Sequence, residues 1–183
     1  MSAYYYLVSS LPGLVLGHPP VISSDVFLAI CAQQLTPHDH RELELVWQGR
    51  AGEAASAFAR AWHDVETQLR NAVARARAGL YGTEARAWVR SHQGWVVQLE
   101  KMVAEAFARP DPLEREQALD RARWQMAGEL CALTPFGLES VLAYAVRLQI
   151  VTRWAAFDVE QGWRRMDGWI NELEKQAQES TYE

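Results

Sequence analysis

The chain has 183 residues, a formal net charge of −5 and 49% hydrophobic residues, and eight of its residues are tryptophan. This hydrophobic content is sufficient for a packed core, and the acidic balance excludes a general nucleic-acid binder. The two cysteines, Cys31 and Cys131, are too few for a disulfide-rich secreted scaffold, so free thiols are predicted. A signal peptide and a membrane span are not predicted, because no basic segment opens the chain and no run of about 18 apolar residues follows.

The first predicted elements are short. Residues 4–11 are aromatic and β-branched, which favours an extended segment or short strand, with a helix as the alternative. Ser23 or Ser24 is predicted to cap a short helix. Thr36, followed by proline and then by an acidic residue, is a stronger helix start, and that helix is expected to end near Gly49.

The middle of the chain predicts a helical hairpin. Residues 51–78 repeat apolar side chains at helical spacing, and Gly79 and Gly82 then interrupt the pattern. A second long helix is predicted to follow, with one apolar stripe formed by Trp88, His92, Trp95, Leu99, Met102 and Ala106. Because the predicted loop is short, the two helices are expected to pack antiparallel.

Three further helices are predicted in the C-terminal part. Asp111, followed by proline, is a capping residue for a helix that reaches Leu133. The pair Thr134-Pro135 is predicted to start the next helix, and Asp158 to cap the last. Of the tryptophans, Trp88, Trp95, Trp163 and Trp169 are predicted to be core residues, and Trp47 and Trp62 to be partly exposed.

The elements together predict an all-α helical bundle with a long helical hairpin and at most one short N-terminal strand. Residues 1–183 are expected to form a single helical domain, with two lobes, 1–109 and 110–183, as the alternative organisation. The boundary between these lobes is placed at the Asp111 helix start, which is the clearest break in the pattern.

Candidate chemistry is sparse. His38 and His40 diverge on a helix, where successive residues are rotated by about 100°, so they do not converge on one metal ion. The carboxylates of Glu114, Asp120 and their helix neighbours lack the Glu-x-x-His pairs of a diiron site. No phosphate-binding glycine loop occurs, and neither cysteine has a CxxC partner. We therefore expect no catalytic residue, no metal and no cofactor.

Charged residues alternate along the helix that follows Asp111. The favoured interpretation is a solvated or inter-helix salt-bridge face, worth a few tenths of a kcal/mol for each exposed pair. The functional interpretation is a docking surface, because Arg and Trp are enriched at interface hot spots. The candidate partner-binding residues are then Arg115, Arg121, Arg123 and Trp124.

Two segments resemble a known family. The first is YYYLVSSLPGL at residues 4–14, and the second is DPLEREQALDRARW at Asp111–Trp124, followed by LAYAVRLQIVTRW at Leu142–Trp154. Both are similar to a bacterial family of unknown function encoded within V-type (A/V-type) ATPase operons. The resemblance implies a cytoplasmic component of a rotary ATPase. The narrower expectation is an equivalent of the all-helical socket protein that joins the rotor shaft to the membrane ring.

This resemblance implies a non-enzymatic adaptor between central stalk and membrane ring, associated with the inner membrane through the complex. The implied partners are V-type ATPase subunits, with no nucleic acid and no direct membrane insertion. An assembly chaperone for a membrane or redox enzyme complex is the alternative, and a permanent component differs from it by fixed stoichiometry in the mature complex. A helical-bundle enzyme is a third possibility, which requires a bound metal or cofactor.

Overall fold

Helices account for all regular secondary structure in residues 4–157 and 169–170, which are the residues that the computed structural model describes. Their bounds are α1 Tyr5–Ser10, α2 Ser24–Gln34, α3 Pro37–Trp47, α4 Ala57–Tyr81, α5 Val97–Phe107, α6 Pro112–Cys131 and α7 Leu138–Ala155. Two short 3-10 helices lie at Ala51–Glu53 and Arg86–Trp88. The prediction of an all-α bundle is confirmed.

Side-chain caps start three of these helices where the sequence predicts them. The Ser23 hydroxyl accepts a hydrogen bond from the Val26 amide at 3.3 Å, and the Thr36 hydroxyl accepts one from the Asp39 amide at 3.2 Å. The Asp111 carboxylate accepts from the Leu113 amide at 2.8 Å. Each cap satisfies one of the donors that the first helical turn leaves free.

The N-terminal segment is helical, so the preference for a short strand is wrong. Helix α1 has no side-chain cap, and it is held by contacts distant in sequence. The Tyr4 amide donates to the Phe136 carbonyl at 2.6 Å, and Leu7 is buried in the core. Tertiary packing therefore overrides the β-preference of the aromatic and β-branched residues.

The second helix of the predicted hairpin is much shorter than expected. Helix α5 starts only at Val97, and residues 82–96 form an irregular connection except for the 3-10 turn. Two buried side-chain amides of α4 bond the backbone groups that a helix would satisfy internally. Asn71 bonds both the amide and the carbonyl of Arg90, and Gln68 does the same for Val96, at 2.7–2.9 Å.

This difference corrects the predicted burial of several tryptophans. Trp88 and Trp95 are exposed rather than core residues. Trp169 is exposed as well, and Trp62 is buried instead of partly exposed. Trp163 and the predicted cap at Asp158 lie outside the described residues.

Helix α7 begins at Leu138, four residues after the start predicted at Thr134. The Thr134 amide donates to the Cys131 carbonyl at 3.0 Å, and the Thr134 carbonyl accepts from the Gly137 amide at 3.0 Å. These bonds form two successive turns, so the Thr134 side chain does not cap α7. The turns direct the chain from α6 back into α7.

One hydrophobic core contains buried side chains from α1 to α7. Helices α6 and α7 pack on each other, and both contact α4. Phe27 of α2 connects the N-terminal helices to α7. The centroid of its ring lies 5.2 Å from that of Tyr144 and 6.1 Å from that of Trp47. None of the helices in the described residues is both long and apolar enough to cross a membrane.

Candidate functional site

A fully buried carboxylate, that of Asp120, lies where α4, α6 and α7 meet. It accepts hydrogen bonds from the Arg123 guanidinium at 3.0 Å and from the Trp154 indole N–H at 2.7 Å. The Arg153 guanidinium donates to the same carboxylate. Burial of an ionised group is costly unless charged and hydrogen-bonding partners surround it, and here three donors do so.

Glu66 of α4 extends this cluster toward the surface. Arg123 donates to both Glu66 carboxylate oxygens, at 3.0 and 3.2 Å, and Arg70 donates to one of them at 2.9 Å. Burial by itself lowers the pKa of Arg123, but Glu66 and Asp120 outweigh that effect and raise it. We call the five residues Arg70, Glu66, Arg123, Asp120 and Arg153 the charge cluster. It holds three guanidinium groups and two carboxylates, so it has an excess of positive charge.

An open cavity of about 1010 Å³ lies over the charge cluster. All five cluster residues line it, together with His63, Trp88 and Arg90. This space, called the cationic pocket below, is bounded by α3, α4, α6, α7 and the 82–96 connection. Its four arginines outnumber its two carboxylates, although the whole chain is acidic.

A second cavity, of about 530 Å³, adjoins the first. Its walls are mainly apolar side chains of α4 and α6, and we call it the apolar pocket. The residues Arg70, Trp88 and Arg123 line both cavities. Together the two pockets form one groove with an apolar part and a cationic part. Pockets with apolar walls and a few placed polar groups are the usual form of binding sites.

The 82–96 connection borders this groove and presents exposed aromatic surface. Trp88 is 75% exposed and Trp95 is 58% exposed. The Arg75 guanidinium lies 5.9 Å from the Trp95 ring centroid and donates to Glu100 at 2.9 Å. Connections in helical bundles usually have about 2–8 residues, and longer ones are commonly functional. The connection therefore exposes two indole rings to solvent.

The four residues predicted from sequence as a docking surface do not share one face of α6. Arg115 lies over the Phe107 ring at 4.8 Å and donates to the Arg109 carbonyl at 3.1 Å. Trp124 lies under the Arg147 guanidinium at 4.9 Å. Arg121 is exposed, and only Arg123 reaches the groove. That these residues bind a partner stays a prediction.

Sequence reasoning missed the roles of Glu66, Arg70, Trp88 and Arg153. It also treated Asp120 as one of several alternating charges. The sequence did contain a signal for the burial of Asp120. Asp120 precedes Ala127 by seven residues, so both side chains lie on the same side of α6, and that side is buried. The charge partners on α4 and α7 could not be inferred, since they are distant in sequence.

Other polar groups have simple structural surroundings. His38 bonds the neighbouring Asp39 carboxylate at 3.1 Å, and its own side chain is mostly exposed. Burial raises the pKa of the Cys31 thiol to about 12, which disfavours the reactive thiolate. Within residues 4–157 and 169–170, no three His, Cys, Asp or Glu side chains are grouped as a metal site would require.

Fold and groove thus define an all-helical protein with a groove that is apolar in one part and cationic in the other. Residues 96–177 match a family described as "Protein of unknown function (DUF2764)". The matched range contains Asp120, Arg123 and Arg153, whereas Glu66 and Trp88 precede it. No match to the chain is found among curated proteins or among solved structures.

Proposed function

We propose that this chain is a non-enzymatic adaptor of a bacterial V-type ATPase that links the central stalk to the membrane ring. It is cytoplasmic and reaches the inner membrane through the complex. The observation that carries the adaptor role is the groove, because exposed Trp88 stands beside arginines that line an open cavity. Trp and Arg are among the residues most enriched at interface hot spots.

The assignment to a V-type ATPase rests on the resemblance of residues 4–14, Asp111–Trp124 and Leu142–Trp154. The last two segments carry Asp120, Arg123 and Arg153, which form the floor of the groove. The segments that carry the resemblance therefore also build part of the candidate binding site. This coincidence supports the adaptor proposal.

The packing beneath the groove suits a protein that transmits force. Asp120 of α6 joins α7 through Arg153 and Trp154, and Arg123 joins α6 to Glu66 of α4. Close-packed interiors have low compressibility and transmit strain. A load applied at the groove would therefore be shared by three helices.

Copurification from the native bacterium tests the proposal. The tagged chain is isolated with solubilised membranes, and the V-type ATPase subunits are quantified relative to it. We expect a fixed ratio in the mature complex. A chain found only with incomplete assemblies would support the assembly-chaperone alternative, and a chain found with no part of the ATPase would overturn the proposal.

Three variants test which surface of the chain contacts the ATPase. Arg90→Glu reverses a charge in the cationic pocket, whereas Arg86→Glu reverses a charge on the same connection outside both pockets. We expect the first variant to reduce copurification and the second to retain it. Arg121→Glu tests the surface predicted from sequence, and its loss of binding would move the contact from the groove to the exposed face of α6.

A further inference from the structure

We infer that the groove receives a protein segment in which an apolar side chain lies next to acidic side chains. This inference rests on the proposed adaptor function in that it describes the partner of the same site. It does not depend on the partner being part of an ATPase. The juxtaposition of the apolar pocket and the cationic pocket is the observation that carries it.

The apolar pocket has room for a large apolar side chain. Leu69, Val73 and Ala78 of α4 and Leu119 of α6 form its walls, and Tyr81 and Trp88 border it. Its volume of about 530 Å³ leaves room for an aliphatic or aromatic anchor. Desolvated pockets that take up such an anchor are the usual centres of protein interfaces.

The cationic pocket favours carboxylates. Glu66 and Asp120 are already engaged by guanidinium groups of the charge cluster, as described above. Arg90 forms no ion pair with any described residue, and the side chain of Arg153 stays 59% exposed although it binds Asp120. Guanidinium groups bind carboxylates through two parallel hydrogen bonds, so these two arginines are suited to acidic side chains.

Trp88 connects the two pockets. It lines both of them, so a chain that crosses Trp88 places neighbouring side chains on either side. The indole also offers a flat apolar surface to the backbone of that chain. An apolar anchor and acidic residues close in sequence would therefore occupy the two pockets at once.

The shape of the groove and the charge of the whole chain disfavour two other macromolecules. A bilayer surface is flat on this scale, whereas the buried groups of the charge cluster, Glu66, Asp120 and Arg123, lie inside a concave site. A nucleic acid is a long polyanion, and the chain as a whole carries a formal net charge of −5. A short peptide segment meets only the groove, where arginines outnumber carboxylates, and its side chains enter each pocket separately.

Selection from a random-peptide library tests the inference. The full chain is immobilised, bound peptides are enriched, and one enriched peptide is labelled for fluorescence anisotropy. We expect enriched sequences that combine an aromatic or aliphatic residue with neighbouring Asp or Glu. Affinity should fall about tenfold or more with Arg90→Glu and also with Leu119→Glu, and it should fall with added salt.

Two controls keep the result specific. Arg86→Glu changes the net charge by the same amount as Arg90→Glu, but at a position outside both pockets, and it should bind the peptide like the wild type. Leu119 is buried, so its substitution by Glu can unfold the protein. Trp88→Ala is therefore a second test of the apolar contact, because Trp88 is 75% exposed, and it should also lower the affinity. Unchanged circular dichroism and melting temperature establish that each variant is folded.

The outcomes separate this inference from the proposed function. Enriched peptides without acidic residues, or peptides that bind Arg90→Glu as well as wild type, would overturn the inference. Binding to phosphatidylglycerol vesicles that requires Arg90, with no enriched peptide, would overturn it in favour of a membrane contact. Acidic peptides that bind while no part of an ATPase copurifies would leave the inference standing and remove the proposed function.

Discussion

Two buried carboxylates in different parts of the molecule, Glu42 and Asp120, are stabilised in different ways. Glu42 of α3 accepts from the backbone amides of Ala55 and Ser56, at 2.9 and 2.7 Å, just before α4 begins. Asp120 accepts from the side chains described above. The backbone donors carry no charge, whereas the guanidinium donors of Arg123 and Arg153 are charged and line the groove. The first arrangement fixes a helix junction, and the second also creates a recognition surface.

Removal of the Asp120 carboxylate should have the largest effect. Asp120→Ala leaves the Trp154 indole and the Arg153 guanidinium without this acceptor, and Arg123 keeps only its bonds to Glu66. Breaking a buried ion pair by removing one partner costs about 3–5 kcal/mol. We expect the free energy of unfolding in urea denaturation to fall by about 3 kcal/mol, the lower end of that range, because Arg123 retains Glu66 and the Arg153 side chain is 59% exposed.

Asp120→Asn is the matched control, because it retains the shape and one acceptor oxygen. Its loss should be smaller than that of Asp120→Ala. Equal stability of wild type and Asp120→Ala would show that the charge cluster contributes nothing to folding.

Glu42→Gln tests the backbone-capping carboxylate. The glutamine amide has one acceptor oxygen in place of two, so one of the amides of Ala55 and Ser56 loses its partner. A buried donor left unsatisfied costs about 1–3 kcal/mol. Chemical denaturation at pH 7 should show this loss, and Glu44→Gln on the exposed side of α3 should not.

The same variant should change the pH dependence of stability. Burial by itself raises the pKa of Glu42, but the hydrogen bonds from Ala55 and Ser56 outweigh it and hold the pKa below its usual 4.5. A depressed native pKa contributes stability above the unfolded pKa, and this contribution is lost as pH falls through the native value. The difference between wild type and Glu42→Gln should therefore shrink below about pH 4.5, as seen in melts at pH 7 and pH 3. A constant difference would contradict the assignment.

Tyr4→Phe should have a smaller effect. The Tyr4 hydroxyl donates to the Asp39 carboxylate and accepts from the Thr36 amide at 3.3 Å. Its removal breaks both hydrogen bonds and costs about 1–2 kcal/mol, since the usual net value of one such bond is about 1 kcal/mol. Thermal unfolding measures the loss, and Tyr6→Phe, at an exposed position of the adjoining helix α1, should leave stability unchanged.

The smallest effect is expected at Gly128. A Cβ atom there would meet the guanidinium of Arg147, which donates to the Trp124 carbonyl at 3.1 and 3.2 Å. Gly79 in α4 has open space around the same position. Gly79→Ala should stabilise the protein by about 0.5–1 kcal/mol, and Gly128→Ala should fall short of that gain. An equal gain in thermal unfolding would show that the Arg147 contact is energetically neutral.

Local signals in the sequence predicted the helix starts at Ser23, Thr36 and Asp111. These caps depend only on a side chain and an amide two or three residues away, so the sequence contains the whole interaction. The start at Thr134 was wrong, because its carbonyl and amide are used in turns. Cap residues are also common in turns, and the local sequence does not distinguish the two.

The groove could not be predicted because its parts meet only in the folded chain. Helical spacing between Trp88, Trp95 and Leu99 suggested a buried stripe, yet Gly94 adopts a φ of 71° and the segment stays irregular. Asp120 depends on α7 for two of its donors. Periodicity describes one element at a time, whereas burial of a charge depends on which elements surround it.

The bonds from Gln68 and Asn71 to the 82–96 connection have a consequence for how binding can be regulated. Both amides are neutral and almost fully buried, so neither protons nor ions in solution compete for them. The backbone that follows Trp88 is therefore held at Arg90 and Val96 by hydrogen bonds between neutral groups. A partner would meet this stretch of backbone already ordered, and added salt would weaken the contacts of the arginines more than these neutral bonds.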